Sequence, residues 1–207
     1  GDTASAGLIN IITNAPDPEG FSAKLGLDIT DDGTLGSKYT RREYRGMMNI
    51  PVSENSALRT VFNFNNTIGL RKNKISGQDQ ENKDYGVRMH YLYKPTDDFS
   101  FALIGNFSKN KLEGPSIFTP VRSVTPIHQE AIAACGITAS PKNQYVCHDF
   151  DEHNNTDIYT LSAEFNFKAF GHEITSITSY SKTEIGPWNW QIMGLSYPRL
   201  LEIRSSG

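Results

Sequence analysis

The chain has 207 residues and a net charge of −3, from 20 basic and 23 acidic residues. Spread along the sequence, that balance leaves no basic footprint for nucleic acid. The apolar runs, such as Leu8 to Ile12 interrupted by Asn10, fall far short of the ~18 residues a membrane helix needs. With 9 Tyr and 11 Phe among many Asn, Ser and Thr, the composition favours strands over helices.

The first element is GLINIIT, a short apolar strand, followed by Pro16 and Pro18, which break a sheet and extend the chain. Gly7 permits a tight turn before it. Residue 1 reads as a cut edge, and the chain as a piece of a longer protein. Strict alternation then begins: Phe21, Ala23, Leu25, Leu27 and Ile29 share one face, and Ser22, Lys24, Gly26, Asp28 and Thr30 the other. Weaker patterns predict strands near 38–51 and 57–70. Strong alternation returns in Tyr85, Val87, Met89, Tyr91 and Tyr93, and again in Phe99, Phe101, Leu103 and Phe107. It recurs in Tyr159, Leu161, Ala163, Phe165 and Phe167. Further strands are expected near 172–183 and 200–206.

The polar faces carry Lys, Arg, Glu and His and must meet water. The apolar faces need either a second sheet, as in a sandwich, or lipid, as in a membrane barrel. The connections favour the barrel. Those near 51–56, 95–98 and 168–172 are tight, whereas those near 31–37, 71–84, 109–157 and 184–199 are longer. In an up-and-down meander, alternate connections emerge at opposite ends, so one end has only tight turns and the other only long loops. That asymmetry is the habit of outer-membrane barrels.

Within 109–157, Thr125, Pro126 and Gly136 mark the start and stop of a short helix. Cys135 closes that helix and Cys147 follows 12 residues on. One even pair, without CxxC or zinc spacing, reads as a local disulfide and an oxidising compartment. Such a bridge contributes about 3 kcal/mol against disorder of the loop. Two unrelated buried thiols are the alternative.

Several residues are candidates for ligand contact. His148, Asp149, Asp151 and His153 suit a metal or ferric chelate, but a solvated acidic loop is the favoured reading. Arg71, Lys72 and Lys74 suit an anionic ligand, or simply a wet surface. Trp188 and Trp190 suit stacking on an aromatic or sugar, or packing of their own loop. Arg41, Arg45, Arg88 and His90 fall on the polar faces, where they would line a lumen or meet whatever fills it. No catalytic signature is present: the sequence lacks GxSxG, GxxxxGK and HExxH.

The stretch ASAGLINIITNAP resembles the end of the plug domain in TonB-dependent outer-membrane receptors. Ala6, Gly7, Leu8, Ile9, Asn10, Ile11, Ile12, Thr13, Asn14 and Pro16 hold the matching positions. Asn14 stands where a basic residue is commoner. PVSENSALR, YKPTDDFSFALIGNFS, HEITSITSYSK and LLEIRSSG are similar to turn-and-strand units of the same family. The resemblance implies an all-β, antiparallel transmembrane barrel, part of 22 strands around an internal plug, with about eight strands present. Residues 1–18 would end the plug and 19–207 begin the barrel.

It further implies active transport rather than catalysis, in the outer membrane of a Gram-negative bacterium. The cargo would be a scarce nutrient such as a ferric siderophore, with no cofactor resident in this portion. The partners would be TonB, engaged through the missing part of the plug, outer-membrane lipid and the small-molecule nutrient, with no nucleic acid. A passive eight-stranded barrel and a soluble sandwich binding module are the rival readings.

Overall fold

The computed structural model describes residues 13–31, 39–115, 125–148, 152–169 and 171–186. The short apolar strand at 8–12, the strand expected near 200–206, and Asp149, Asp151, Trp188 and Trp190 lie outside them. The described residues form β1 (Ser22–Asp31), β2 (Thr40–Ser53), β3 (Ser56–Asn73), β4 (Asp79–Thr96), β5 (Phe99–Glu113), α1 (Pro126–Ala134), β6 (Tyr145–Val146), β7 (His153–Ala169) and β8 (His172–Ile185). One sheet holds all the strands in the order β1-β2-β3-β4-β5-β7-β8, with β6 beside β3. Every neighbouring pair along that path is antiparallel, and among the described residues β1 does not pair with β8. The fold is thus all-β, a single open meander.

The expected strands appear, and most of them run longer than their alternation suggested. The predicted loop 71–84 is the largest correction: β3 continues to Asn73 and β4 starts at Asp79, so Arg71 and Lys72 are strand residues and only 74–78 connect. The ladder closes at Lys72 opposite Asp79 after an irregularity beyond Ile68, near Gly69 with its positive φ of 89°. The long connection likewise shrinks to 114–152. Both faces are polar there, so alternation is lost while the hydrogen-bonded ladder continues. The parity of the connections persists. β2–β3, β4–β5 and β7–β8 are joined by tight turns at one end, and the longer links emerge at the other.

Because paired residues share a face, the register maps each surface in rows. One row reads Leu27, Tyr44, Phe64, Tyr85, and another reads Leu25, Gly46, Phe62, Val87, Phe107, Tyr159. These side chains form a continuous apolar face. Its aromatic members meet across strands: ring centroids lie 4.8 Å apart in Phe64–Tyr85 and in Phe101–Phe165, and 5.1 Å apart in Phe107–Tyr159. Nothing in the described chain covers this face. Leu25 is 86% exposed, Met89 52% and Leu161 51%, while the buried apolar residues are only Ala57, Ile132, Ile137 and Val146.

The face is a band with a sloping upper edge. Toward the long-loop end its unbroken apolar rows end at Ile29 on β1, Tyr44, Phe64 and Tyr85 on β2–β4, Phe107 and Tyr159 on β5 and β7, and Tyr180 on β8, with Ile68 standing alone beyond Asn66 on β3. Counted in register, that edge drops by about six residues over six strand steps, or one residue per strand. With ~3.4 Å per residue and ~4.8 Å between strands, the strands cross the band at roughly 35° from its normal. At the other end the band stops where the strands themselves stop, at Phe99, Phe167 and Ile174.

Gly46 gives a local test of the packing on this face. A Cβ there would sit 2.1 Å from the Phe62 ring, which lies over the glycine from the neighbouring strand. Gly46→Val is expected to displace that ring and destabilise the sheet by about 1–3 kcal/mol, whereas Gly105→Val, at an open position, should be near neutral. Comparative denaturant unfolding of the two variants measures the difference.

Candidate functional site

The polar face and the long-loop end bring together most of the residues singled out from the sequence. Arg41, Arg45, Arg88 and His90 all fall on the polar face, alternating with the apolar rows. Arg41 donates to Asn65 Oδ1 at 3.2 Å and to Glu43 at 3.0 Å, and Arg45 pairs with the same Glu43 at 3.3 Å. Beside them Asp84 accepts from Asn65 and Asn82 at 3.1 Å and from Asn110 at 2.5 Å. The result is a lattice of carboxamides, carboxylates and guanidinium groups over β2–β5. Such a surface offers many donors and acceptors to a polar ligand and few apolar contacts.

The N-terminal linker lies against this same polar face. Asn49, 1% exposed, donates to the carbonyls of Asp17 and Gly20 at 2.8 and 2.7 Å, and its Oδ1 accepts from the Asp17 N–H at 2.9 Å. Arg88 reaches Thr13 Oγ1 at 2.9 Å while also bonding Asn106, and Pro16 is buried. Next to Arg88, His90 is 9% exposed and neither ring nitrogen has a hydrogen-bond partner among the described residues. The segment that precedes β1 is thus held on the polar side of the sheet.

At the long-loop end a disulfide joins Cys135 and Cys147, as the sequence predicts, with their Cα atoms 6.2 Å apart. The helix before it ends as the sequence suggests. Gly136 has φ 67°, its N–H bonds Ala133 O, and Ile137 N–H bonds Ile132 O at 3.0 Å. Those two bonds make a Schellman stop, and the two isoleucines it joins are both buried. The bridge returns the chain as β6, which pairs in parallel with Lys72 and Asn73 of β3.

Asn73 is the clasp of that dock, a role with no signature in the sequence. Its Nδ2 donates to His148 O at 2.8 Å, and its Oδ1 accepts from His148 N at 3.2 Å and from Ile75 N at 3.1 Å. The end of β3 and its turn, with Lys72 and Lys74, therefore meet the segment that carries His148. Each of these side chains has an internal partner. Lys72 lies 3.7 Å from Asp79, Lys74 stands 4.0 Å over the Tyr145 ring, and His148 Nδ1 is 2.5 Å from Glu152. His153 is not with them: it begins β7 opposite Glu113, on the outward continuation of the apolar face. Among the described residues no group of three or more His, Cys, Asp or Glu is arranged to hold a metal ion.

Two substitutions separate the loop dock from the linker dock. Asn73→Ala leaves buried backbone groups unpaired, at a cost of about 1–3 kcal/mol. It is expected to speed amide exchange at Gln144–His148 while leaving the β4–β5 ladder protected. Asn49→Ala should do the same for Asp17–Gly20 and leave the loop unchanged. Site-resolved hydrogen exchange on the full-length protein reads both.

No protein-family model matches the chain, and comparison with curated proteins and with solved structures likewise finds no match.

Proposed function

We propose that these residues form part of the wall of an outer-membrane transport barrel of the TonB-dependent receptor kind. The observation that carries this reading is the sloping, uncovered apolar band. The apolar rows of β1, β4, β5 and β7 run from Phe21 to Ile29, Tyr85 to Tyr93, Phe99 to Phe107 and Tyr159 to Phe167. Eight residues at ~3.4 Å and a ~35° tilt project to roughly 22 Å, close to the ~25 Å apolar belt of membrane barrels, whose strands tilt by about 35–45°. A sandwich face has no need to slope, and it would lie under a second sheet. An eight-stranded closed barrel would pair its first and last strands. The aromatic rows at both margins match interfacial girdles.

Two further features support a receptor rather than a passive pore. The linker from Thr13 to Gly20 is itself held by Asn49 and Arg88 on the polar side of the sheet, which in this reading is the lumen side, where a plug belongs. The stapled loop at one end offers a structured cap over that lumen. In this reading the cap and the polar lattice beneath it meet a nutrient such as a ferric siderophore. TonB then acts on the plug, whose end is residues 1–18.

The membrane part of the reading is tested by placing single tryptophans in the full-length protein in lipid. Met89→Trp, on the apolar face, should be quenched by brominated acyl chains, and Ile104→Trp, on the polar face, should not. In the same preparation Leu25→Arg or Leu103→Arg, near the middle of the band, should cost about 2–4 kcal/mol, against about 0–1 for Tyr85→Arg at its margin. Equal quenching at both positions, or arginine costs independent of depth, would sink the membrane assignment. Uptake of a radiolabelled ferric siderophore by cells with and without the gene tests the cargo.

A further inference from the structure

The long connection is a strap across the end of the sheet, and the hydrogen bonds of β3 show which way it runs. Asn73 N–H donates to Gln78 O at 2.8 Å, toward β4. Lys72 N–H and Lys74 N–H point the other way, to Gln144 O and Val146 O, both at 2.9 Å. β6 therefore takes the side of β3 away from β4, beyond Ile68, where the β2 ladder ends. A chain that leaves β5 and arrives there crosses the ends of β4 and β3. It then returns to its origin, since Gly114 N–H donates to Glu152 O at 2.8 Å beside β5.

The disulfide sits at the far end of that strap. Cys147 stands between Val146 of β6 and His148, the residue that Asn73 grips. Ile132, Ile137 and Val146, three of the buried aliphatic side chains, lie within three residues of one or other cysteine. The cysteines themselves are half-buried, so a small thiol can reach them. β6 is two residues long, and single hydrogen bonds of the kind that hold it shift an equilibrium only several-fold each. The bridge spans 12 positions, and closing a loop of that size favours the docked form by about a hundredfold. The bridge is thus comparable in weight to the dock it secures.

We propose that the Cys135–Cys147 bridge is a redox switch for this strap: a dithiol reductant releases β6 from β3, and reoxidation returns it. One thiolate of the dithiol attacks a bridge sulfur, the S–S bond breaks, and the other cysteine leaves as a thiolate that takes up a proton. The second thiolate of the reductant then attacks the mixed disulfide and frees the remaining cysteine. Two electrons pass to the bridge, and the dithiol ends as a disulfide. Released from the bridge, residues 136–146 regain chain entropy, and the Asn73 clasp no longer suffices to hold them. The switch requires only this local dock. What it uncovers follows from the receptor reading, in which the strap lies over the mouth of the lumen.

The test equilibrates the full-length protein, in lipid and without denaturant, with dithiothreitol at graded ratios of its reduced and oxidised forms. Alkylation and mass spectrometry count the free thiols, and hydrogen exchange is read at Gln144–His148 in the same samples. Reduction is expected to speed exchange there by about a hundredfold, to leave the β4–β5 ladder protected, and to be undone when the bridge reforms. The double variant Cys135→Ser, Cys147→Ser should exchange at the fast rate in every buffer. A bridge that dithiothreitol reduces only in denaturant overturns the proposal. So does a β6 equally protected after reduction, or one that stays released after reoxidation. If the switch fails while brominated lipid still quenches Met89→Trp, the membrane reading stands and the switch alone is lost.

Discussion

The constraint on which this structure depends is a sheet whose backbone is satisfied edge to edge while one of its faces is covered by nothing the described chain supplies. Seven long strands exchange backbone hydrogen bonds in register, so peptide groups of the interior strands are paired whatever surrounds them. The side chains are another matter. A soluble domain buries its apolar surface within itself, and here, among the described residues, the buried aliphatic side chains are Ala57, Ile132, Ile137 and Val146, while Leu25, Leu27, Ile29 and Tyr180 stand more than half exposed. Such a surface calls for an apolar cover that the described residues do not supply. Paired backbone and apolar exterior together are the two conditions a bilayer sets for a spanning strand.

From that constraint the two ends and the two faces acquire different tasks. At one end the turns are so short that Lys94 N–H reaches Asn55 O and Lys168 N–H reaches Asp98 O, binding each turn to the next strand. At the other end residues 125–148 of the long connection are held by three separate devices: a disulfide, a Schellman helix stop and a parallel bridge onto β3. A loop of that length would cost conformational entropy if it were ordered without such anchors. Ordering it across the sheet's end builds a cap, while the polar face below keeps its carboxamide and carboxylate lattice. The apolar contacts and the polar lattice are thereby divided between opposite sides of one sheet.

The faces were legible in the sequence because the period of two survives any uncertainty about where a strand ends. Tyr85 to Tyr93 and Phe99 to Phe107 share a face in the register as they do in the pattern. Strand ends were not legible, since beyond the apolar band both faces are polar. Lys72, Lys109–Glu113 and His153–Asp157 look like loop by composition and are paired strand in fact, and Arg71 lies within β3. Cys135 and Cys147 could be matched from their spacing. The clasp by Asn73 could not, because its partner His148 lies 75 residues away and an asparagine near a turn has many commoner roles.

The polar side chains where β3 meets the long connection are engaged within the protein. Lys72, Lys74 and His148 each face an internal partner, and Glu152, 5% exposed, also fixes Gly114 through its carbonyl. Drawing any of them toward a ligand would cost the pairing that holds β6 in place. The lattice around Arg41, Glu43, Asn65, Asp84 and Asn110 carries no such burden, since those strands are already held by backbone ladders. In the receptor reading, recognition therefore belongs chiefly to that inner polar face, and the stapled loop governs what reaches it.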